Sequence, residues 1–357
     1  MVRRCYIYLL LICLLFMCGC AKTKEISIRQ SGNGWEITDI KLNNLPQEAN
    51  TYVEAVTNEG IYYCCDLADA KSSYIDASWH FLTFSGEDIP IYQEPSISYY
   101  SSFLNDSNLI IAMNFEEGIK VLEFSPDGTT KELFQQNASQ LPFIAASNGW
   151  IASIRNNFQE DRISYNNALV LSNASTGTET TIYQATQQID SMMGEDILSV
   201  CLNDQEIIFT VRETQNDKIQ HWLYTYNITK EQITDKILLE QEVLYAIRVG
   251  NIALMSLDNE TGSIGEIVDG KYQEKSKIPL MSSANMIYTS TYTPEGIYIS
   301  CYESGYFWNT DTNEVYVYDF KPINTEGRSI TERGIQYIVR EGPEAFVRTL
   351  SVKSSPK

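Results

Sequence analysis

Beyond its first twenty residues, this chain carries its apolar positions in short runs broken by turn residues. The runs are rich in Tyr, Ile, Val and Thr, and no stretch keeps the spacing of a long amphipathic helix. That pattern predicts an all-β chain. One hairpin pattern recurs: AVTNEGIYYCC (55–65), SFLNDSNLIIAM (102–113), IAASNGWIASIR (144–155), SVCLNDQEIIFTVR (199–212), YAIRVGNIALMSL (245–257), TSTYTPEGIYISCY (289–302) and SITERGIQYIVRE (329–341). Each holds a strand, a tight turn and a second, more hydrophobic strand. Asn-Gly and Glu-Gly turns are expected to supply the positive φ that two-residue hairpins need.

With Gly60, Ser107, Gly149, Gln205, Gly250, Gly296 and Gly334 as turn markers, the spacings are 47, 42, 56, 45, 46 and 38, with a mean of about 46. A second hairpin follows, as in VLEFSPDGTTKELF (121–134), LVLSNASTGTETTIY (169–183) and HWLYTYNITKEQITDKILL (221–239), and EVYVYDF (314–320) supplies a strand of the same kind. Four short strands every 40–50 residues predict the blades of a β-propeller. Seven four-stranded blades are expected over one domain, residues 25–357; the irregular spacings leave six or eight open, and a pair of β-sandwiches is the competing architecture. The last unit ends at FVRTLSV (346–352), one strand short, and EISIRQSGNGWEITDI (25–40) offers that strand.

The first nineteen residues have another character. Arg3 and Arg4 precede twelve uncharged residues, Tyr6 to Met17, that end in Met17-Cys18-Gly19-Cys20 and then Lys22-Thr23-Lys24. Twelve residues suit a signal-peptide core and fall short of the roughly 20 needed to span a bilayer. A small residue before a cysteine at the end of such a run resembles a bacterial lipobox. The resemblance implies cleavage after residue 19, a diacylglyceryl group on the Cys20 thiol, and a short tether over residues 20–24. Together, lipobox and periodicity resemble TolB-like and related lipoprotein propellers; WD and kelch signatures are absent. The resemblance implies a location on the outer side of a cell membrane, held by lipid.

Charge narrows the partners. Losing residues 1–19 removes two Arg and no acid, so the formal charge moves from −20 to −22. Such a surface repels nucleic acid and anionic headgroups. Cys64, Cys65, Cys201 and Cys301 lack zinc-ligand spacing and are expected as buried free thiols, with the adjacent Cys64 and Cys65 on opposite faces of a strand. Asn137, Asn173, Asn227 and Asn259 begin N-x-S/T triplets, which beside a lipobox are read as coincidence in an Asn-, Ser- and Thr-rich chain.

Binding is expected on long connections between the second and third strands of each unit: 66–78, 156–167, 213–220 and 303–313. Three of these carry aromatics that look exposed: Tyr74, Phe158, Tyr165, Tyr306, Phe307 and Trp308. Aromatic faces suit sugars, peptides or apolar anchors. Asp258-Asn259-Glu260 and Asp311-Thr312-Asn313-Glu314 could hold Ca²⁺ but match no twelve-residue calcium loop, and turns use Asp and Asn as caps in any case. His80 and His221 each precede a strand-like run, beside Trp79 and Trp222, at corresponding places in the repeat, which suggests a structural role. Hydrolase and zinc-protease motifs are absent. No catalytic residue, metal or cofactor is assigned. The expectation is a membrane-tethered, non-enzymatic binding or scaffold module for a protein or glycan partner. The alternative is a propeller enzyme acting on extracellular polysaccharide through paired carboxylates.

Overall fold

The computed structural model describes residues 26–29, 33–46, 51–66, 77–93, 98–115, 118–136, 143–147, 149–158, 164–188, 193–203, 205–215, 218–257, 262–279, 287–301, 303–320 and 326–352. All regular structure among them is β. The strands are β1 (Ser27–Arg29), β2 (Trp35–Leu42), β3 (Thr51–Val56), β4 (Gly60–Asp66), β5 (Ala77–Thr83), β6 (Asp88–Gln93), β7 (Ser98–Asn105), β8 (Asn108–Phe115), β9 (Gly118–Phe124) and β10 (Thr130–Gln136). They continue as β11 (Phe143–Ser147), β12 (Trp150–Phe158), β13 (Ser164–Asn173), β14 (Glu179–Gln188), β15 (Met193–Leu202), β16 (Glu206–Gln215), β17 (Lys218–Asn227), β18 (Gln232–Leu239), β19 (Val243–Val249) and β20 (Ile252–Leu257). The remainder are β21 (Gly262–Val268), β22 (Lys271–Ile278), β23 (Ile287–Thr293), β24 (Gly296–Cys301), β25 (Ser304–Asn309), β26 (Glu314–Asp319), β27 (Glu326–Thr331), β28 (Gly334–Glu341) and β29 (Glu344–Val352).

The strands form antiparallel meanders whose first strands lie side by side. Strand β3 touches β7 and β27, β11 touches β7 and β15, and β19 touches β15. A hydrogen bond of 3.1 Å from Tyr245 of β19 to Ser290 of β23 continues this inner ring. The arrangement is propeller-like, but hydrogen bonding divides it into five sheets, not the seven separate ones expected. Four of them hold four or five strands, and the fifth holds twelve, β11 to β22. The merger has a local cause. Strands β13 to β16 are ten residues long, so β14 and β15 overrun their meanders and pair through Gln187↔Gly194 and Gln188↔Met193. The same long strands account for the 56-residue spacing. One parallel bridge, Leu238↔Lys271, joins β18 to β22.

Both faces of the middle strands are buried, each against a different neighbour. In β4, Tyr62 and Cys64 pack with Leu109, Ile111 and Met113 of β8, whereas Ile61 and Tyr63 pack with Ile338 and Val347 from the far end of the chain. Cys64 and Cys65 accordingly face opposite ways, as their adjacency predicts. Strands buried on both sides read as unbroken apolar runs, which is why the second strand of each hairpin is the more hydrophobic one. A Tyr62 hydroxyl pushed up by burial spans the seam to the next unit, donating to Ser107 O at 2.9 Å or Phe124 O at 3.0 Å.

The two ends of the chain meet. β2 pairs with β29 over eight residues, from Trp35↔Val352 to Leu42↔Ala345. The closing strand is therefore 35–42, later than the 25–40 segment suggests. Residues 27–29 go instead to the neighbouring sheet, where β1 lies parallel to β26. Trp35 ties the two sheets: its Nε1 donates to Val317 O at 3.2 Å.

The marked turns fall where the pattern predicts, and most of the marked glycines take the expected positive φ. Asp106, Gly149 and Gly250 do take positive φ, at 55°, 75° and 59°. Gly60 instead opens β4 because a third-strand backbone lies close by. A Cβ there would sit 2.3 Å from Leu82 O and 2.8 Å from the Phe81 ring, and Gly296 meets Trp308 O in the same way at 2.3 Å. The turns before these glycines are held by threonine. Thr57 Oγ1 accepts the Glu59 and Gly60 amides at 3.1 Å, and Thr293 Oγ1 donates to Gly296 O at 2.9 Å. On the other hairpins Asn173 Oδ1 accepts the Ser175 and Thr176 amides at 3.0 Å, and Asn227 Oδ1 accepts that of Lys230 at 2.8 Å. Two of the N-x-S/T triplets are thus turn caps; Asn137 and Asn259 lie outside the described residues.

Two outcomes follow from this packing. Gly60→Ala is expected to cost about 1–3 kcal/mol, the usual range for overpacking; an unchanged urea midpoint would contradict the close approach. At the closing seam, Arg348 hydrogen-bonds Asp39 through two contacts of 2.8 Å, and this holds the Asp39 carboxyl below its ordinary value against an opposing desolvation. The unfolded chain takes up that proton more readily, so the pair's stabilisation is complete above about pH 4 and disappears as pH falls through the folded value. Urea midpoints between pH 7 and pH 2.5 should therefore fall less steeply in Asp39→Asn than in the native chain.

Candidate binding surfaces

Three kinds of place could hold a ligand: the axis, the loops carrying the aromatics, and the rims. Among the described residues, two small cavities lie beside the axis. One cavity beside it, about 30 Å³, is lined by residues that include Leu104, Ala145, Leu202, Tyr245 and Ser290; another, about 20 Å³, lies against Glu54, Phe103, Arg328 and Ser329. A water needs roughly 10–15 Å³ measured this way, so these spaces admit one or two waters and no larger ligand.

The polar groups at the axis serve one another. Cys201 Sγ lies 3.5 Å from Ser290 Oγ and 3.9 Å from the Tyr292 hydroxyl, and Tyr292 donates to Arg248 O at 3.3 Å. Burial pushes the Cys201 thiol up, partly offset by its hydrogen bonds, and pushes Tyr245 and Tyr292 well above their ordinary values. Cys301 is raised for the same reason, although Arg328 opposes the shift. Neutral, desolvated thiols are poor nucleophiles. None of the four cysteines among the described residues is in a disulfide, and Cys65 alone of these is partly exposed.

The aromatic residues that looked like loop contacts are placed differently. Cys20 and Tyr74 lie outside the described residues, as do residues 67–76. Phe158 and Tyr165 are register partners in β12 and β13, in strands rather than a loop. Tyr306, Phe307 and Trp308 form half of β25 and are 0, 2 and 0 % exposed. Tyr306 and Trp308 face the core shared with β15–β22, whereas Phe307 faces Trp35, Tyr298 and Tyr337. Three consecutive aromatics here mark a strand buried on both faces. The expected loop 303–313 is a strand with a turn at residues 310–313. The connection at 213–220 is likewise mostly strand, since β16 runs to Gln215 and β17 starts at Lys218.

The acids and histidines are also engaged. Glu314 accepts from Arg29 at 2.5 Å and from the Tyr316 hydroxyl at 3.1 Å, and these contacts hold its carboxyl below the ordinary value. Asn309 Oδ1 accepts the Asp311 and Thr312 amides at 3.0 and 2.9 Å. Among the described residues no three His, Cys, Asp or Glu side chains converge as metal ligands; residues 258–260 lie outside them. His80 stacks on Tyr63 with ring centroids 5.1 Å apart, lies against Ser78, and contacts Asp88 at 3.2 Å. His80 and His221 both sit in the third strand of their meander, which agrees with a role in the repeat.

A third space lies at a rim. A cleft of about 350 Å³ opens between the β19–β20 turn and the β25–β26 turn, lined by Val249, Asn251, Ile252, Trp308, Thr310, Asp311 and Asn313. No motif in the chain marks it, because its two halves are about sixty residues apart.

Comparison with known proteins adds the fold. No family model and no curated protein matches this chain. A chain of the S. cerevisiae complex of dbp5 bound to nup159, gle1, ip6 and adp is similar, with a TM-score of 0.50 at 9 % identity over 92 % of this chain and 98 % of that one. The fold is propeller-like. Streptogramin B lyase aligns with a TM-score of 0.48 at 13 % identity, over 90 % of this chain and 100 % of that one. The computationally designed Ika8 protein aligns with 0.46 at 9 % identity, over 84 % and 97 %. Identities this low speak to architecture alone.

The burial order of the thiols sets an expectation. In native protein, Cys65 should be the first of these four to react with Ellman's reagent, with Cys64, Cys201 and Cys301 untouched until denaturant is added. Fast modification of Cys201 in buffer would contradict the desolvated network.

Proposed function

We propose that this chain is a bacterial lipoprotein, anchored outside the cytoplasm by acylated Cys20, whose propeller is a non-enzymatic binding or scaffold module for a protein or glycan partner. In this reading the twelve-stranded sheet counts as three units side by side, which gives seven four-stranded blades with β2 completing the last. The position of β1 carries the proposal. Its first residue pairs with Glu314, directly after the β25–β26 turn. Turns between first and second strands, and between third and fourth, share that face of the ring. The chain therefore leaves the domain on this face. Residues 21–26 extend at most about 20 Å, so an acyl group on Cys20 would hold this face towards the bilayer. The opposite face, which carries the connections between second and third strands and from one unit to the next, is then presented to partners.

Two measurements test this. Cys20→Ala should move the protein from the detergent phase to the aqueous phase on phase partitioning, with its circular dichroism unchanged; retention in the detergent phase would overturn the anchor. For orientation, fluorophores at Gly270→Cys and Gly342→Cys, both open positions, can be read by energy transfer to labelled headgroups. The Gly270 site, on the β1 face, should lie nearer the bilayer, and the reverse order would reject the orientation.

A further inference from the structure

The cleft between the β19–β20 and β25–β26 turns combines three properties. Its volume, about 350 Å³, falls at the lower end of small-molecule sites, roughly 300–1,000 Å³. Its walls are divided by chemistry. Val249 and Ile252 supply an apolar side, and Asn251, Thr310, Asp311 and Asn313 supply a polar one. Trp308 also lines it, fully buried, and its Nε1–H has no hydrogen-bond partner among the described residues. The contrast with Trp35, whose Nε1 finds Val317 O, shows that the fold can satisfy a buried indole elsewhere. A buried donor left unpaired is costly, and an acceptor arriving in the cleft would relieve it.

The rim is also built in advance. Asn309 caps the Asp311 and Thr312 amides, Asn313 takes a left-handed φ of 58°, and its carbonyl accepts the Ser27 amide at 3.2 Å. A rigid rim loses little entropy when a ligand docks.

We infer that this cleft binds an uncharged saccharide ring. Two amides and a hydroxyl can each donate and accept, Asp311 can only accept, and the indole can only donate. Sugar hydroxyls, which do both, match such a mixed set. The C–H face of a pyranose matches Val249 and Ile252. Asp311, with Glu314 nearby and a strongly acidic chain around it, disfavours an anionic ligand. A single metal ion would leave most of the volume unfilled. The cleft opens on the face from which β1 emerges, so the ring could belong to a free glycan or to a glycolipid headgroup. The cleft's chemistry does not depend on the anchor.

The test uses the full chain in detergent micelles. Saturation-transfer NMR and calorimetry are run with methyl glucoside, methyl galactoside and methyl N-acetylglucosaminide, and co-flotation with vesicles containing a glucosyl-diacylglycerol. Binding of at least one glycoside, weakened about tenfold, or 1.4 kcal/mol, in Asn251→Ala and in Trp308→Phe, is expected. Trp308→Phe keeps the core filled while removing the donor, and unchanged circular dichroism in both variants excludes misfolding. Recruitment of Cys20→Ala protein by the glycolipid vesicles, without binding of free glycosides, would support the site and assign the ring to the membrane. Absence of both, or affinity unchanged in the two variants, would overturn the inference whatever the fate of the anchor.

Discussion

A four-stranded sheet that is apolar on both faces cannot stand in water. In this protein the middle strand of every complete meander is in that position: Ile61 and Tyr63 look one way along β4, Tyr62 and Cys64 the other. Each sheet is stable only between two neighbours, and the first and last have neighbours only if the ring closes. The pairing of β2 with β29 meets that requirement. Closure by a strand from the opposite end makes burial cooperative around the ring, because an opened seam would expose Tyr298, Phe307 and Tyr337 on one side. Trp35 and the Asp39–Arg348 pair sit on this seam for the same reason.

The closure has a consequence for chemistry. Where the first strands pack side by side, Cys201, Tyr245 and Tyr292 are desolvated and joined through hydrogen bonds that include Ser290. Their titration is moved away from neutrality, which suits cohesion more than reactivity. Ligand contact is thereby displaced to the rims, where turns need polar residues for their own conformation. Asn173, Asn227 and Asn309 illustrate this double constraint, since each caps the amides of a turn that also faces solvent. At the cleft the same kind of turn adds an apolar wall and a buried indole, and these set it apart from an ordinary cap.

Closure also decides where the chain enters. The segment before β2 must start on the face where β29 ends, and β1 follows β26 away from that face. The start of β1, the cleft and the end of β29 are thus brought to one side. Under the proposed anchor, that side meets the headgroup region at a separation set by about six residues. The net charge of −20 opposes close contact with anionic lipid, so a short covalent tether and electrostatic repulsion would together set the standoff.

The all-β class, the hairpin repeat, its turn positions and the strand borrowed from the N-terminus can all be read in order along the chain, because period-two patterning and turn chemistry are local. Every hairpin turn marked by Gly60 through Gly334 falls between the strands it was assigned to. The grouping into sheets could not be read this way, since it depends on whether the ends of β14 and β15 overrun far enough to pair. The role of Tyr306-Phe307-Trp308 failed for a related reason. A run of aromatics looks alike on an exposed loop and on a strand buried on both faces, and only the neighbouring sheets distinguish them. The cleft was hidden because Asn251 and Asp311 meet only through packing of adjacent meanders. Local chemistry, carried by the sequence alone, determined the strands and turns of this protein; which surfaces remain for a ligand was decided by the tertiary structure, because burial is a property of the closed ring.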